Sequence, residues 1–102
     1  MEKITLCGST KFKEAFEYWN KKLSLEGNVV YSVSCFGHSG DNLTYSQKEL
    51  LDKVHFSKID NSDEIFVLDV DGYIGESTNN EILYAKLQGK RITFLSSKIN
   101  KK

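Results

Sequence analysis

Residues 65–69 read Ile-Phe-Val-Leu-Asp, a nearly unbroken apolar run closed by a carboxylate. A strand with one wet face alternates apolar and polar residues. A strand apolar on both faces is covered on both, which marks a parallel sheet lying between helices. Three runs of similar length stand at residues 4–7, 29–33 and 92–95. Helix-period segments fill the intervals. In residues 12–25, Phe12, Ala15, Phe16, Trp19 and Leu23 recur at spacings of three and four, and Gly27 supplies the stop. A second helix is expected over residues 45–61, with Leu50, Leu51, Val54 and Ile59 on its inner face. A third is expected from Ser77 or Thr78 to Leu87, with Gly89 as its stop.

The order is therefore β-α-β-α-β-α-β, with right-handed crossovers. We expect an α/β fold of three layers, a flavodoxin- or Rossmann-like parallel sheet of four to five strands with helices on both faces. The 102 residues contain no proline and no low-complexity linker, so residues 1–97 read as a single domain and 98–102 as a polar tail. A domain this small buries a modest share of its surface, which favours a homodimer or higher homo-oligomer.

Fourteen basic residues balance fourteen acidic ones. No net field draws the chain to nucleic acid polymers or membrane surfaces. No apolar run approaches the roughly 20 residues of a membrane helix, and the N-terminal MEKITLCGS enters a strand with no signal-peptide core. A cytoplasmic protein is expected. Cys7 and Cys35 are too few for a disulfide scaffold and lack metal-site spacing, so they read as small apolar residues near the core. Neither a metal nor a cofactor is expected.

In doubly wound sheets ligands bind beyond the C-terminal strand ends. That rule selects three loops. The first, CGSTKF, holds Gly8, Ser9, Thr10 and Lys11 between a strand and a helix. There backbone N–H groups and the helix end can meet an anion, unless Ser9 or Thr10 merely caps the helix. The loop lacks the Gly-Lys-Ser/Thr ending of a Walker sequence. The second, residues 36–44, carries His38 in a glycine-punctuated setting and reads as a flap or as a solvated connection. The third opens DVDGYIGESTNNEILYA, where Gly72 and Gly75 permit close approach of a ligand. Asp69 and Asp71 at its start either bind a ribose hydroxyl or cap the turn.

Glu81 lies three residues after Thr78, the spacing of a capping box. The other reading is a carboxylate in the first helical turn, held ionised by the helix dipole and placed to attack an anomeric carbon. His55, inside the second helix, is either an incidental histidine or a titrating group.

With these features in view, the chain resembles the nucleoside 2-deoxyribosyltransferase family, which includes the 2′-deoxynucleoside 5′-monophosphate N-glycosidases. The likeness rests on CGST after the first strand, NSDEIFVLDV, and GESTNNEILYA followed by GKRI. It covers nearly the whole chain in the same order. The resemblance implies that Glu81 is the nucleophile and that Ser9, Thr10 and Ser77 lie in phosphate-holding loops. It departs from the family at one point: an aspartate on the helix before the third strand is replaced, on alignment, by His55.

The implied activity is N-glycosidic cleavage or base transfer on a nucleoside or nucleoside 5′-monophosphate. Glu81 attacks, and His55, Asp69 or Asp71 moves the proton. Gly8, Ser9, Thr10, Lys11, His38, Asp71, Gly75 and Ser77 form the candidate binding set. The alternative is a catalytically silent nucleotide-binding module. A phosphoacceptor receiver domain shares the strand–helix alternation, but it needs an acidic pair where this chain has CGS.

Overall fold

The structure, a computed structural model, describes residues 1–36 and 42–99. Four parallel strands, β1 (Lys3–Cys7), β2 (Val29–Tyr31), β3 (Glu64–Val67) and β4 (Arg91–Phe94), form one sheet in the order β2-β1-β3-β4. The helices are α1 (Lys13–Leu25), α2 (Tyr45–Asp60), α3 (Glu76–Leu87) and a short α4 (Leu95–Ile99). This is the three-layer, flavodoxin/Rossmann-like arrangement expected from the alternation of strands and helices. Among the described residues no helix is long and apolar enough to cross a membrane.

Strand periodicity divides the core. Ile4, Leu6, Phe66 and Leu68 point to the face covered by Phe16 and Leu23 of α1 and by Leu95 of α4. Cys7, Ile65 and Val67 point to the opposite face, against Ile59 of α2 and Ile82 and Ala85 of α3. The chain first steps from β1 outward to β2, then returns past β1 to β3 and β4. The two directions of travel put α1 on one face and α2 and α3 on the other. β1 and β3, from which the chain departs in opposite directions, are adjacent at the switch point where such sheets bind ligands.

Helix ends obey local chemistry. Thr44 caps α2 in a reciprocal box with Gln47, at 3.1 Å and 3.0 Å. α1 and α3 both close with the residue after glycine donating back into the helix, Asn28 N–H to Leu23 C=O at 3.2 Å and Lys90 N–H to Ala85 C=O at 3.0 Å.

Three expectations are corrected. Of the four residues expected on the inner face of α2, Ile59 is buried and Leu51 lines a cavity along the helix, whereas Leu50 is 60% and Val54 37% exposed, and His55 is buried beside that cavity instead. The fourth strand ends at Phe94, and Leu95 begins α4, so Lys98 lies in a helix; residues 100–102 fall outside the described part. Helix α3 starts at Glu76, one residue before the expected Ser77.

Candidate active site

At the C-terminal edge of the sheet, between α2, α3 and the β1–α1 loop, lies a cavity of about 670 Å³, within the range of small-molecule sites. Its position follows from packing. A Cβ on Gly8 would sit 3.1 Å from the Leu68 carbonyl oxygen and 3.2 Å from Leu68 Cβ. Glycine thus lets the β1–α1 loop lie against the end of β3. Gly8, Ser9 and Thr10 line one side, and Gly75, Ser77 and Thr78 line another.

Gly75 is the N-cap of α3 without a side-chain capping bond. The first N–H groups of that helix have no intrahelical acceptors and face the same end of the sheet. Thr78 is inside the helix and buried, which removes the capping-box reading of Glu81. Glu81 falls in the second turn rather than the first. Its side chain is 15% exposed and lines the cavity.

There it meets two groups from other elements. Glu81 Oε1 is 3.7 Å from His55 Nε2 of α2. That nitrogen is 3.6 Å from Cys7 Sγ, at the end of β1 and fully buried. Burial dominates the electrostatics of the cluster. It pushes the Glu81 carboxyl up to about 7, against a lowering contribution from the Cys7 hydrogen bond and with a smaller rise from Asp52. The expected effect of the helix dipole, to hold Glu81 ionised, is thus outweighed by desolvation. Burial lowers His55 to about 4, helped by the Lys58 charge and opposed by a hydrogen bond to the Leu6 backbone. Burial also raises the Cys7 thiol well above its usual range. The 3.7 Å contact is therefore no ion pair at neutral pH, because burial keeps His55 uncharged there, and below pH about 7 the proton sits on Glu81.

The expected site residues separate into two groups. Gly8, Ser9, Thr10, His55, Gly75, Ser77 and Glu81 converge on the cavity. Asp69 does not: it is buried away from it, accepting from Ser96 N–H at 2.9 Å and Ser96 Oγ–H at 2.6 Å, and so ties β3 to α4. Asp71 is exposed in the turn Val70–Gly72 with φ 53°, a left-handed conformation that aspartate tolerates. Lys11 lies with its ammonium 3.6 Å from the Tyr73 ring centre, outside the cavity lining. His38 lies outside the described residues.

The sequence reading missed Asp52, Lys58 and Cys7. Asp52 and Lys58 line the cavity from α2, and Lys58 donates to the Ser32 carbonyl at 2.6 Å and to Ser34 Oγ at 3.2 Å. A signal existed for Asp52, since residues 52, 55 and 59 share one helical face. Comparison with protein-family models, with curated proteins and with solved structures finds no match.

Proposed function

We propose that this protein cleaves the N-glycosidic bond of a nucleoside or nucleoside 5′-monophosphate, with Glu81 as nucleophile. One observation carries the reading: a carboxylate shielded from solvent shares a single cavity with a glycine–hydroxyl loop and an uncapped helix N-terminus. The loop and the helix end suit a phosphate or sugar hydroxyls. The carboxylate suits an anomeric carbon that gains positive charge as the base leaves with the bonding electrons.

In this scheme Glu81 ionises, its oxygen bonds the anomeric carbon, and the departing base takes up a proton. Water or a second base then displaces the carboxylate. Proton handling falls to His55, 3.7 Å from Glu81, and to Asp52, which lines the same cavity. The resemblance in CGST and GESTNNEILYA supports the same assignment. The protein would act in the cytoplasm, as a homodimer or larger assembly.

A second reading, a silent nucleotide-binding module, is favoured by the raised Glu81 carboxyl, which holds its proton below pH about 7. A panel of ribo- and deoxynucleosides and their 5′-monophosphates, incubated with wild type and Glu81→Ala and separated by chromatography, distinguishes the two. The glycosidase releases free base, at a rate that rises through pH about 7 as Glu81 ionises. Glu81→Ala is at least about 1,000-fold slower. Saturable binding with every ligand recovered intact would instead establish the binding module.

A further inference from the structure

Glu81 belongs to a cluster that a glycosidic nucleophile alone does not require. Cys7, His55 and Glu81 come from β1, α2 and α3, and their Sγ, Nε2 and carboxylate oxygen all lie within 4.8 Å of one another. A tetrahedral zinc ion, about 2.3 Å from sulfur and about 2.0–2.2 Å from nitrogen and oxygen, separates its donors by about 3.3–3.7 Å. The nitrogen–sulfur contact at 3.6 Å matches its edge, and the nitrogen–oxygen contact at 3.7 Å lies a few tenths of an ångström beyond its own. The third pair, Cys7 and Glu81, is joined by a hydrogen bond whose proton the metal would replace.

We propose that Cys7, His55 and Glu81 form a binding site for a thiophilic divalent cation, Zn²⁺ above all, with its fourth position open to the cavity. The donor set is one thiolate, one imidazole and one carboxylate. It suits zinc or cobalt, whereas magnesium and calcium require oxygen ligands throughout. Three protein ligands with one open position is the pattern of exchangeable or reactive zinc sites, not of closed structural ones.

The surroundings agree. His55 hydrogen-bonds to the Leu6 backbone, an outer-shell contact of the kind that orients ligating imidazoles. Asp52 adds negative charge beside Glu81, while Lys58 is the opposing positive group and is engaged by Ser32 and Ser34. Entry runs through the cavity, which His55 and Glu81 line and behind which Cys7 is buried. Binding releases the thiol proton, and the carboxyl proton where present, to the buffer. Metal ligation and attack on a sugar compete for the same carboxylate, so zinc occupancy would switch off the glycosidase. The site itself does not depend on that activity.

Co²⁺ added to the full chain reports the site directly. Wild type is expected to bind one ion per chain, with a thiolate-to-cobalt charge-transfer band and tetrahedral ligand-field bands, both displaced by Zn²⁺. Cys7→Ala loses the charge-transfer band, and Cys35→Ser, whose remaining thiol is Cys7, keeps it. His55→Gln and Glu81→Gln lower affinity at least about 100-fold while circular dichroism confirms folding. These two variants serve as the test if Cys7→Ala does not fold. Absence of one-to-one binding, or a charge-transfer band that follows Cys35, would overturn the proposal. Because the readout is optical, a chain that binds Co²⁺ but cleaves no nucleoside sinks only the glycosidase reading.

Discussion

Gly8 shows how one missing side chain positions a site. With Leu68 atoms at 3.1 and 3.2 Å from where a Cβ would stand, neither of them the end of a flexible chain, the loop after β1 must lie close to β3. Gly8→Ala is expected to destabilise the fold by about 1–3 kcal/mol, measured by denaturant titration, because the strand ends have to separate. Stability within about 0.5 kcal/mol of wild type would show that the loop yields without cost. The glycine was visible in CGSTKF as a ligand-facing residue. Its packing role was not, since Leu68 is distant in sequence and the close approach exists only once β1 and β3 pair.

Among the elements, α4 is the one the apolar pattern did not separate from its strand. Residues 92–95 read as a single run, yet the chain turns at Leu95 because Asp69 accepts from both the N–H and the hydroxyl of Ser96. A carboxylate at the start of that short helix satisfies donors that would otherwise be orphaned. Asp69→Ala should cost about 1–2 kcal/mol of stability. It should leave nucleotide cleavage, where present, within a few-fold of wild type, since Asp69 does not line the cavity. A large loss of turnover in a folded Asp69→Ala protein would return this residue to the chemistry. For helix α2 the termini were legible, Thr44 and Gln47 forming the box that starts it. Its orientation was not: two apolar residues that a helical wheel places inside, Leu50 and Val54, face outward.

At the scale of the molecule, two buried titrating groups offset one another. The Glu81 carboxyl rises from 4.5 to about 7, so its burial contributes least penalty at low pH and destabilises as pH climbs through that window. His55 falls from 6.5 to about 4, so its neutral burial is free of penalty above 6.5 and costs stability as pH falls toward 4. Between pH 4.5 and 6.5 the unfolded chain holds one proton on His55 and the folded chain holds one on Glu81. The proton count is equal, and this pair leaves stability flat in pH. Single variants unmask each slope. Glu81→Gln should gain about 3 kcal/mol between pH 4 and 6.5, and His55→Gln should lose a similar amount between pH 4.5 and 7. Urea titrations across that range check both signs, and parallel profiles for the two variants would refute the coupling.

What the sequence by itself determined is the alternation: four apolar runs, helix-period segments between them, and glycines at the helix stops. That pattern is local, and it suffices for a parallel sheet between two helix layers and for the loops at its C-terminal edge. Glu81 and the Gly8–Ser9–Thr10 loop were legible for the same reason, being placed by the ends of elements already in view. The tertiary structure alone decided that Cys7, His55 and Glu81 meet, and that Asp69 turns away to Ser96. Those outcomes depend on which face each strand and helix buries and on how three elements far apart in the chain pack together. Periodicity constrains the face of each element, but only packing sets the contacts between them.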